Sequence, residues 1–265
     1  MLLAVSRSVW SYRGFIVGSV KREFQARYRN SMLGALWTVL NPLAMILVYT
    51  VIFSQVMRAR LPGVDDGLAY SVFICSGLLT WGLLGEITTR SLTMFLDNAN
   101  LLKKLSFPRI CLPLIVLFNS CVNFAIIMAL FLGFLLVSGR WPGMAVLALP
   151  LLVLIQLMFA AGLGMVLGVL NVFFRDVGQF FGIAMQFWFW LTPIVYPLSI
   201  LPEKIQSLVY LNPMTGLMHA YQELFLKGAW PNWPSLLPVF ALGVLLCIAG
   251  GALFRSRSGE MVDEL

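Results

Sequence analysis

Charge is scarce in this sequence. Only 11% of its 265 residues are charged, against roughly 25% in an average soluble domain, while 60% are hydrophobic. A water-soluble domain could not hide that much apolar surface, so an ordinary soluble protein is excluded. Histidine is nearly missing too. His219 is the single one and no cysteine or aspartate cluster joins it, which leaves no catalytic set and no His-based metal centre. The G-x-x-x-x-G-K-[ST] loop that cradles nucleotide phosphates does not occur, and no stretch of soluble composition is long enough to hold a nucleotide-binding domain. The chain is therefore not expected to be an enzyme, and any ATP hydrolysis linked to it belongs to another chain. The four cysteines, Cys75, Cys111, Cys121 and Cys247, lie in or beside apolar runs without zinc-site spacing, so they read as small packing residues. No cleavable signal peptide is expected, because the apolar run 1–5 is short and Arg7 ends it.

What is abundant is long apolar runs. A helix crosses the hydrocarbon layer with about 20 mainly apolar residues. Runs of that kind occupy residues 33–56, 69–89, 110–137, 144–170, 179–197 and 235–254. The fifth is interrupted by Pro193 and Pro197, which a membrane helix tolerates when neighbours satisfy the freed backbone. The predicted fold is thus an all-α integral membrane protein with six transmembrane helices over residues 33–254, an N-terminal segment 1–32 and a tail 255–265.

Orientation follows from lysine and arginine, which gather on the cytoplasmic side of the spans. Arg7, Arg13, Lys21, Arg22, Arg27, Arg29, Arg90, Lys103, Lys104, Arg109, Arg175, Arg255 and Arg257 fall on one side, and Arg58, Arg60, Arg140, Lys204 and Lys227 on the other. Both termini are therefore expected in the cytoplasm. The net charge of +7 is mostly this topology signal and not a nucleic-acid footprint.

Three segments outside the runs are too apolar to be plain connectors. In residues 1–32, Val9, Tyr12, Ile16, Val20 and Phe24 recur every three or four positions among basic residues, as an amphipathic helix lying at the interface requires. The inner loop 90–109 carries Leu101, Leu102 and Leu105 in a helix-capable run; these rest on lipid or fill a groove on another protein. The outer segment 198–234 holds two helix-like stretches separated by Asn212-Pro213, with Pro202 suited to the first turn of one and Gly228 to the end of the other. It reads as a re-entrant hairpin dipping into the outer leaflet, or as a lid packed on helix ends. Within the spans, Asn119 with Asn123, and Gly164 with Gly168, read as helix-packing pairs, and Glu86 with Arg90 as an i, i+4 ion pair.

The run Leu101-Leu102-Lys103-Lys104-Leu105-Ser106-Phe107-Pro108-Arg109, followed by Ile110-Cys111-Leu112-Pro113, is similar to a segment of the permease subunits of ABC transporters that export polysaccharides: O-antigen, capsule and teichoic acid. Further resemblances are Arg27-Tyr28-Arg29-Asn30-Ser31-Met32-Leu33-Gly34 leading to Trp37 and Asn41-Pro42, then Phe174-Arg175-Asp176, then Leu211-Asn212-Pro213-Met214-Thr215. They occur in the family's order over nearly the whole chain. One departure is Gln222, where many relatives carry arginine.

The resemblance implies a homodimer of permeases in the cell inner membrane, working with two copies of a nucleotide-binding ATPase and moving a lipid-linked glycan outward. No cofactor is expected on this chain, since ATP and magnesium would sit on the partner. With the inner loop, it implies an ATPase dock at Asp97, Asn100, Leu101, Leu102, Lys103 and Lys104 together with the N-terminal helix, and with the outer hairpin a gate at Pro202, Asn212, Pro213 and Tyr221. A drug or lipid exporter with the same permease fold is an alternative, and so is an ion-gradient-driven transporter. The latter normally needs several intramembrane acids, and Glu86 is the one candidate. Aromatic rings are dense in the fifth run, and flat rings suit a sliding sugar, so Tyr49, Trp188, Trp190 and Tyr196 are expected at the path or its outer mouth. Trp188 and Trp190 lie about 200° apart on a helix, so one of them must face elsewhere.

Overall fold

The computed structural model describes residues 12–27, 33–56, 61, 67–104 and 108–264, and every regular element among them is a helix. In chain order these are α1 (Arg13–Arg27), α2 (Trp37–Val51), α3 (Ala69–Asp97), α4 (Ala99–Lys104), α5 (Cys111–Val137), α6 (Leu149–Phe173), α7 (Asp176–Leu191), α8 (Glu203–Val209), α9 (Pro213–Lys227), α10 (Trp233–Arg257) and α11 (Met261–Glu264). A π-helical turn, Ile52–Val56, prolongs α2, and a 3-10 stretch, Gly143–Ala148, leads into α6.

Among the described residues five stretches are long and apolar enough to cross a membrane: Trp37–Val56, Ala69–Asp97, Cys111–Val137, Gly143–Phe173 and Trp233–Arg257. The apolar run expected at 179–197 takes a different form. Its helix, α7, begins at Asp176 and stops at Leu191, 16 residues in all. At a rise of 1.5 Å per residue that is about 24 Å, short of the roughly 30 Å hydrocarbon layer. The stop has a local cause: Thr192 precedes Pro193, whose ring disfavours helical backbone at the residue before it, and Thr192 is extended at φ −102°, ψ 133°. The second run is longer than expected, because α3 continues through Arg90 to Asp97 and takes over the first part of the inner loop.

The bundle is organised around α3 and α6. Gly164 and Gly168 let α6 approach α3 so closely that a Cβ on Gly168 would stand 2.4 Å from the Ser91 carbonyl oxygen. On the other side of α6, Gly162 meets the backbone of α10, where a Cβ would lie 2.6 Å from the Cys247 nitrogen. Small residues at such crossings are the usual means of helix association where lipid removes any hydrophobic drive. Polar groups add ties between the helices. Gln156 Nε2 donates to the Thr80 carbonyl, while Asn171 donates to the Leu92 carbonyl at 2.9 Å and accepts from Gly178 N at 3.0 Å. Asn171 thereby joins α6, α3 and α7.

The apolar stripe expected on the N-terminal segment is divided. Ile16 is buried against Cys111 and Ile115 of α5, with Val20 partly buried beside it, whereas Tyr12 is exposed. Val9 and the side chain of Phe24 lie outside the described residues, as do Tyr28 to Met32 and Leu105 to Phe107 of the resembling motifs.

Candidate functional site

Three places along the bundle bring chemistry-bearing residues together. The first is built on Arg90. Its guanidinium pairs with Glu86, one turn earlier on α3, at 3.3 Å, and with Glu23 of α1. The second Glu86 oxygen accepts from Asn123 Nδ2 at 2.7 Å, and Glu23 also accepts from Asn119. The predicted Glu86–Arg90 pair and the shared Asn119/Asn123 face are present, and Glu23 binds them to α1. Sequence reasoning missed Glu23. The signal was there: it is the sole acidic residue of 1–32, set among six basic ones.

Beside this network lies a cleft of about 470 Å³, lined from α1 by Phe15, Ser19, Arg22 and Glu23, and from the inner loop by Asp97, Asn98 and Leu101. The inner-loop residues divide between two faces. Asp97, Asn100 and Lys103 are exposed and Leu101 is partly buried at the cleft, while the side chain of Lys104 lies outside the described residues. Leu102 turns the other way. It is only 8% exposed and packs with Phe95, Leu112, Phe254 and Met261, so its side chain belongs to the chain's own core and not to an outward-facing surface.

The second place is an open groove of about 410 Å³ between α3 and α7, lined by Trp81, Met185, Gln186, Phe189 and Trp190. Trp190 is 64% exposed and meets Phe189 edge-on, with ring centroids 5.3 Å apart. Trp188, expected with it on a path, faces protein instead. Its ring packs edge-on against Trp81 at 5.7 Å and Phe159 at 6.1 Å, and its indole N–H donates to Asn212 Oδ1 at 2.9 Å. The helical offset between the two tryptophans is the physical reason. Tyr49 is half-buried on α2 next to Phe53, and the Tyr196 hydroxyl donates to the Trp190 carbonyl at 2.8 Å.

The third place is the corner between α7 and α9. Asn212 caps α9: its Oδ1 accepts from Met214 N at 3.0 Å as well as from Trp188, and its Nδ2 donates to Thr192 Oγ1 at 2.8 Å. Pro213 follows at the first helical position, where a missing N–H costs nothing. Thr215 donates to the Val209 carbonyl at 2.7 Å and closes the corner on α8. The run Leu211 to Thr215 is therefore a corner motif with a role for each polar atom. At the far end of α9, Gly228 takes the left-handed conformation at φ 61°, and a Cβ there would stand 2.9 Å from the Pro142 carbonyl. Pro202 sits just before α8 and is exposed. Tyr221 is fully buried and stacked on Phe225, so it faces the bundle and no opening. Gln222, also buried, donates to the Pro193 carbonyl at 2.9 Å and holds the segment after α7 against α9. His219 stands 3.6 Å from Glu223, which pairs with Lys227 at 2.8 Å, in an exposed row on α9.

Among the described residues no group of three or more histidine, cysteine or acidic side chains is placed to hold a metal.

The sequence profile of the ABC-2 type transporter family matches residues 16–226. An "O-antigen export system permease protein RfbA" of Myxococcus xanthus is 36% identical over 266 aligned positions that cover all of both chains. A protein of the same name from Klebsiella pneumoniae is 32% identical over 94% of each chain. The "Polysialic acid transport protein KpsM" of Escherichia coli is 22% identical over 92% of this chain and 93% of its own.

Proposed function

The chain belongs to the ABC-2 type transporter family, and from that membership we propose that it is the membrane-embedded, non-catalytic subunit of an ATP-driven exporter of an O-antigen-like polysaccharide. The observation that carries the reading is the end-to-end match, at 36% identity, to an O-antigen export permease. ATP and its magnesium belong to a separate ATPase subunit. In the finer reading the substrate is a lipid-linked glycan, the membrane is the cell inner membrane, both termini are cytoplasmic, and two permeases work with two ATPases.

Several features support that finer reading. The short α7, the bent segment after it and the α8–α9 hairpin together supply a sixth crossing that no single helix provides, with α9 buried among outer helix ends and α8 exposing Ile205 and Leu208. Such broken backbone is tolerated at membrane depth only against protein or a water-filled cavity. The groove of Trp81, Phe189, Trp190 and Gln186 suits a polymer that must slide, because ring faces stack on sugar C–H faces while one carboxamide offers hydrogen bonds. Tyr49 and Tyr196 extend the path outward, and Trp188 with Asn212 and Pro213 holds the gate hairpin. The cleft shared by α1 and the inner loop supports docking of the ATPase through Asp97, Asn100, Leu101 and Lys103, with Leu102 fixing α4 from inside.

Deleting the gene tests the function. Undecorated glycan should accumulate inside the cell and return to the surface on complementation; unchanged surface glycan in the deletion strain would refute the exporter reading.

A further inference from the structure

Where α3, α6 and α10 end and α5 begins, a second apolar core stands apart from the main one. It joins Phe95 of α3, Leu102 of α4, Leu112 of α5, Val169 of α6 and Phe254 of α10, and its last member is Met261 of α11. Met261 is the unexpected one. The segment after α10 is polar apart from Met261 and Val262, with Ser258-Gly259-Glu260 before them and Asp263-Glu264 after, so its composition gives it little reason to return to the bundle. It does return. Met261 is 1% exposed, as deeply placed as the ring of Phe95, whereas Glu260 and Glu264 are exposed. The turn that brings it back is stitched by Arg257, whose guanidinium donates to Glu260 at 2.6 Å, and by Ser258, whose hydroxyl donates to the Arg255 carbonyl at 3.2 Å.

What Met261 meets there is the inner side of α4. That helix has 6 residues, and isolated helices shorter than about 12–15 residues are marginal in water, so α4 does not hold its direction by itself. Its direction must come from packing. Among its described side chains Leu102 is the buried one, and α11 lies against α4 in the same core. The Phe95 and Phe254 rings, stacked 5.7 Å apart, fix the rest of that core. Leu101, the preceding residue, lines the cleft with α1, and Asn100 is exposed, so a rotation of α4 about Leu102 swings both. Interiors are close-packed and methionine fills their irregular gaps, so volume lost at Met261 frees Leu102 to shift.

We propose that Met261 is a positioning residue for the ATPase dock: packed in one core with Leu102, it sets the direction of α4 and with it the surface that the ATPase meets. The inference rests on the exporter reading above, with its dock on α4, and deepens it by adding the segment after the last span to the parts that determine docking. Met261 is buried and acts through Leu102, not by touching the partner.

The test uses the complete transporter, permease with ATPase, in nanodiscs, with two readouts: hydrogen–deuterium exchange over residues 99–104, and the ATPase retained when the complex is purified through the permease. Met261→Ala should speed exchange over 99–104 about 30-fold, the low end of what a methionine-to-alanine cavity costs, and lower ATPase retention, while exchange over α9 and the amount of permease stay as in wild type. Met261→Leu, which conserves volume, should keep both readouts at the wild-type value. Met261→Val removes less volume, and its intermediate effect keeps the test decisive where alanine lowers the amount of permease. Exchange over 99–104 that is unchanged in Met261→Ala, or raised equally over α9, overturns the positioning role; so does full ATPase retention in a variant whose exchange over 99–104 has risen. The two readings fail separately. If Leu101→Asp releases the ATPase and Met261→Ala holds it, the dock stands and the role of Met261 alone falls; if Leu101→Asp also leaves the complex intact, the dock itself falls.

Discussion

Asn212→Ala should loosen the outer hairpin by an amount that the geometry allows to be worked out. The side chain makes four bonds, accepting from Met214 N and Trp188 Nε1 and donating to Thr192 Oγ1 and, at a long 3.5 Å, to the Leu191 carbonyl. Losing the cap on α9 costs about 1 kcal/mol, as for other N-caps. Leaving the partly buried indole N–H without an acceptor costs about another 1 kcal/mol. Thr192 contributes little to the loss, because its hydroxyl still donates to the Trp188 carbonyl at 2.7 Å. The sum, about 2 kcal/mol, is roughly 30-fold in a local opening equilibrium. Hydrogen–deuterium exchange on the complete complex in nanodiscs, followed over residues 203–217, reads that equilibrium directly. Trp188→Phe removes one bond and should speed exchange about fivefold. The double variant should fall short of the product of the two, since both single changes delete the same contact. If Asn212→Ala leaves exchange unchanged, or if the two effects simply multiply, Asn212 and Trp188 do not form a latch.

A reporter active only in the cytoplasm should work when fused after Leu265, and activity of a periplasm-only reporter there would reverse the topology. Gly168→Leu should lower the melting temperature of the purified permease, since its Cβ would press on Ser91 O and overpacking costs about 1–3 kcal/mol or more; Gly251→Ala, with nothing within 4 Å, is the control that should not. Leu101→Asp should release the ATPase on co-purification with permease levels maintained, whereas Leu102→Asp should lower the amount of permease itself, because a charge would enter the chain's own core. Intact complex and normal export with Leu101→Asp would move the dock elsewhere.

Which stretches are long and apolar enough to cross a membrane was largely legible in the sequence, and the direction of their side chains was not. Five of the six apolar runs coincide with stretches long and apolar enough to cross a membrane and the run 179–197 does not, while Asn212-Pro213 and Gly228 marked both ends of α9. Side-chain direction is another matter. In a soluble helix the polar face points outward and reveals the buried one, but a membrane helix is apolar on the lipid side and the protein side alike. Nothing in the sequence therefore distinguished Trp188, which meets Asn212, from Trp190, which lies open in a groove, beyond the statement that they differ. Leu101 and Leu102 are equally apolar neighbours, and packing alone sends one to the cleft and the other to the core. The contact of Glu23 with Asn119 spans 96 positions, so no local pattern encodes it.

The placement of charge also bears on how such a subunit works. From Trp37 to Val56, throughout α5 and α6, and along α7 after Asp176, there is no acidic or basic residue. Glu23, Glu86 and Arg90 form one cluster of paired charges on the bundle, and Glu223 with Lys227 forms another along α9. A carrier driven by protons normally needs several titratable groups where substrate and ion meet, and apart from Asp97 at the end of α3 the spans hold one acid, Glu86, which is paired with Arg90 and Asn123. A long neutral stretch has the opposite merit for a polymer, because no fixed charge holds one sugar more firmly than the next. The work must then come from the ends. Glu23 is the one acid of an otherwise basic segment, and through Arg90 and Glu86 it ties α1 to α3 and, by Asn123, to α5. Any push on α1 thus reaches two spans through side chains already paired, without a charge having to cross the apolar middle of the bundle.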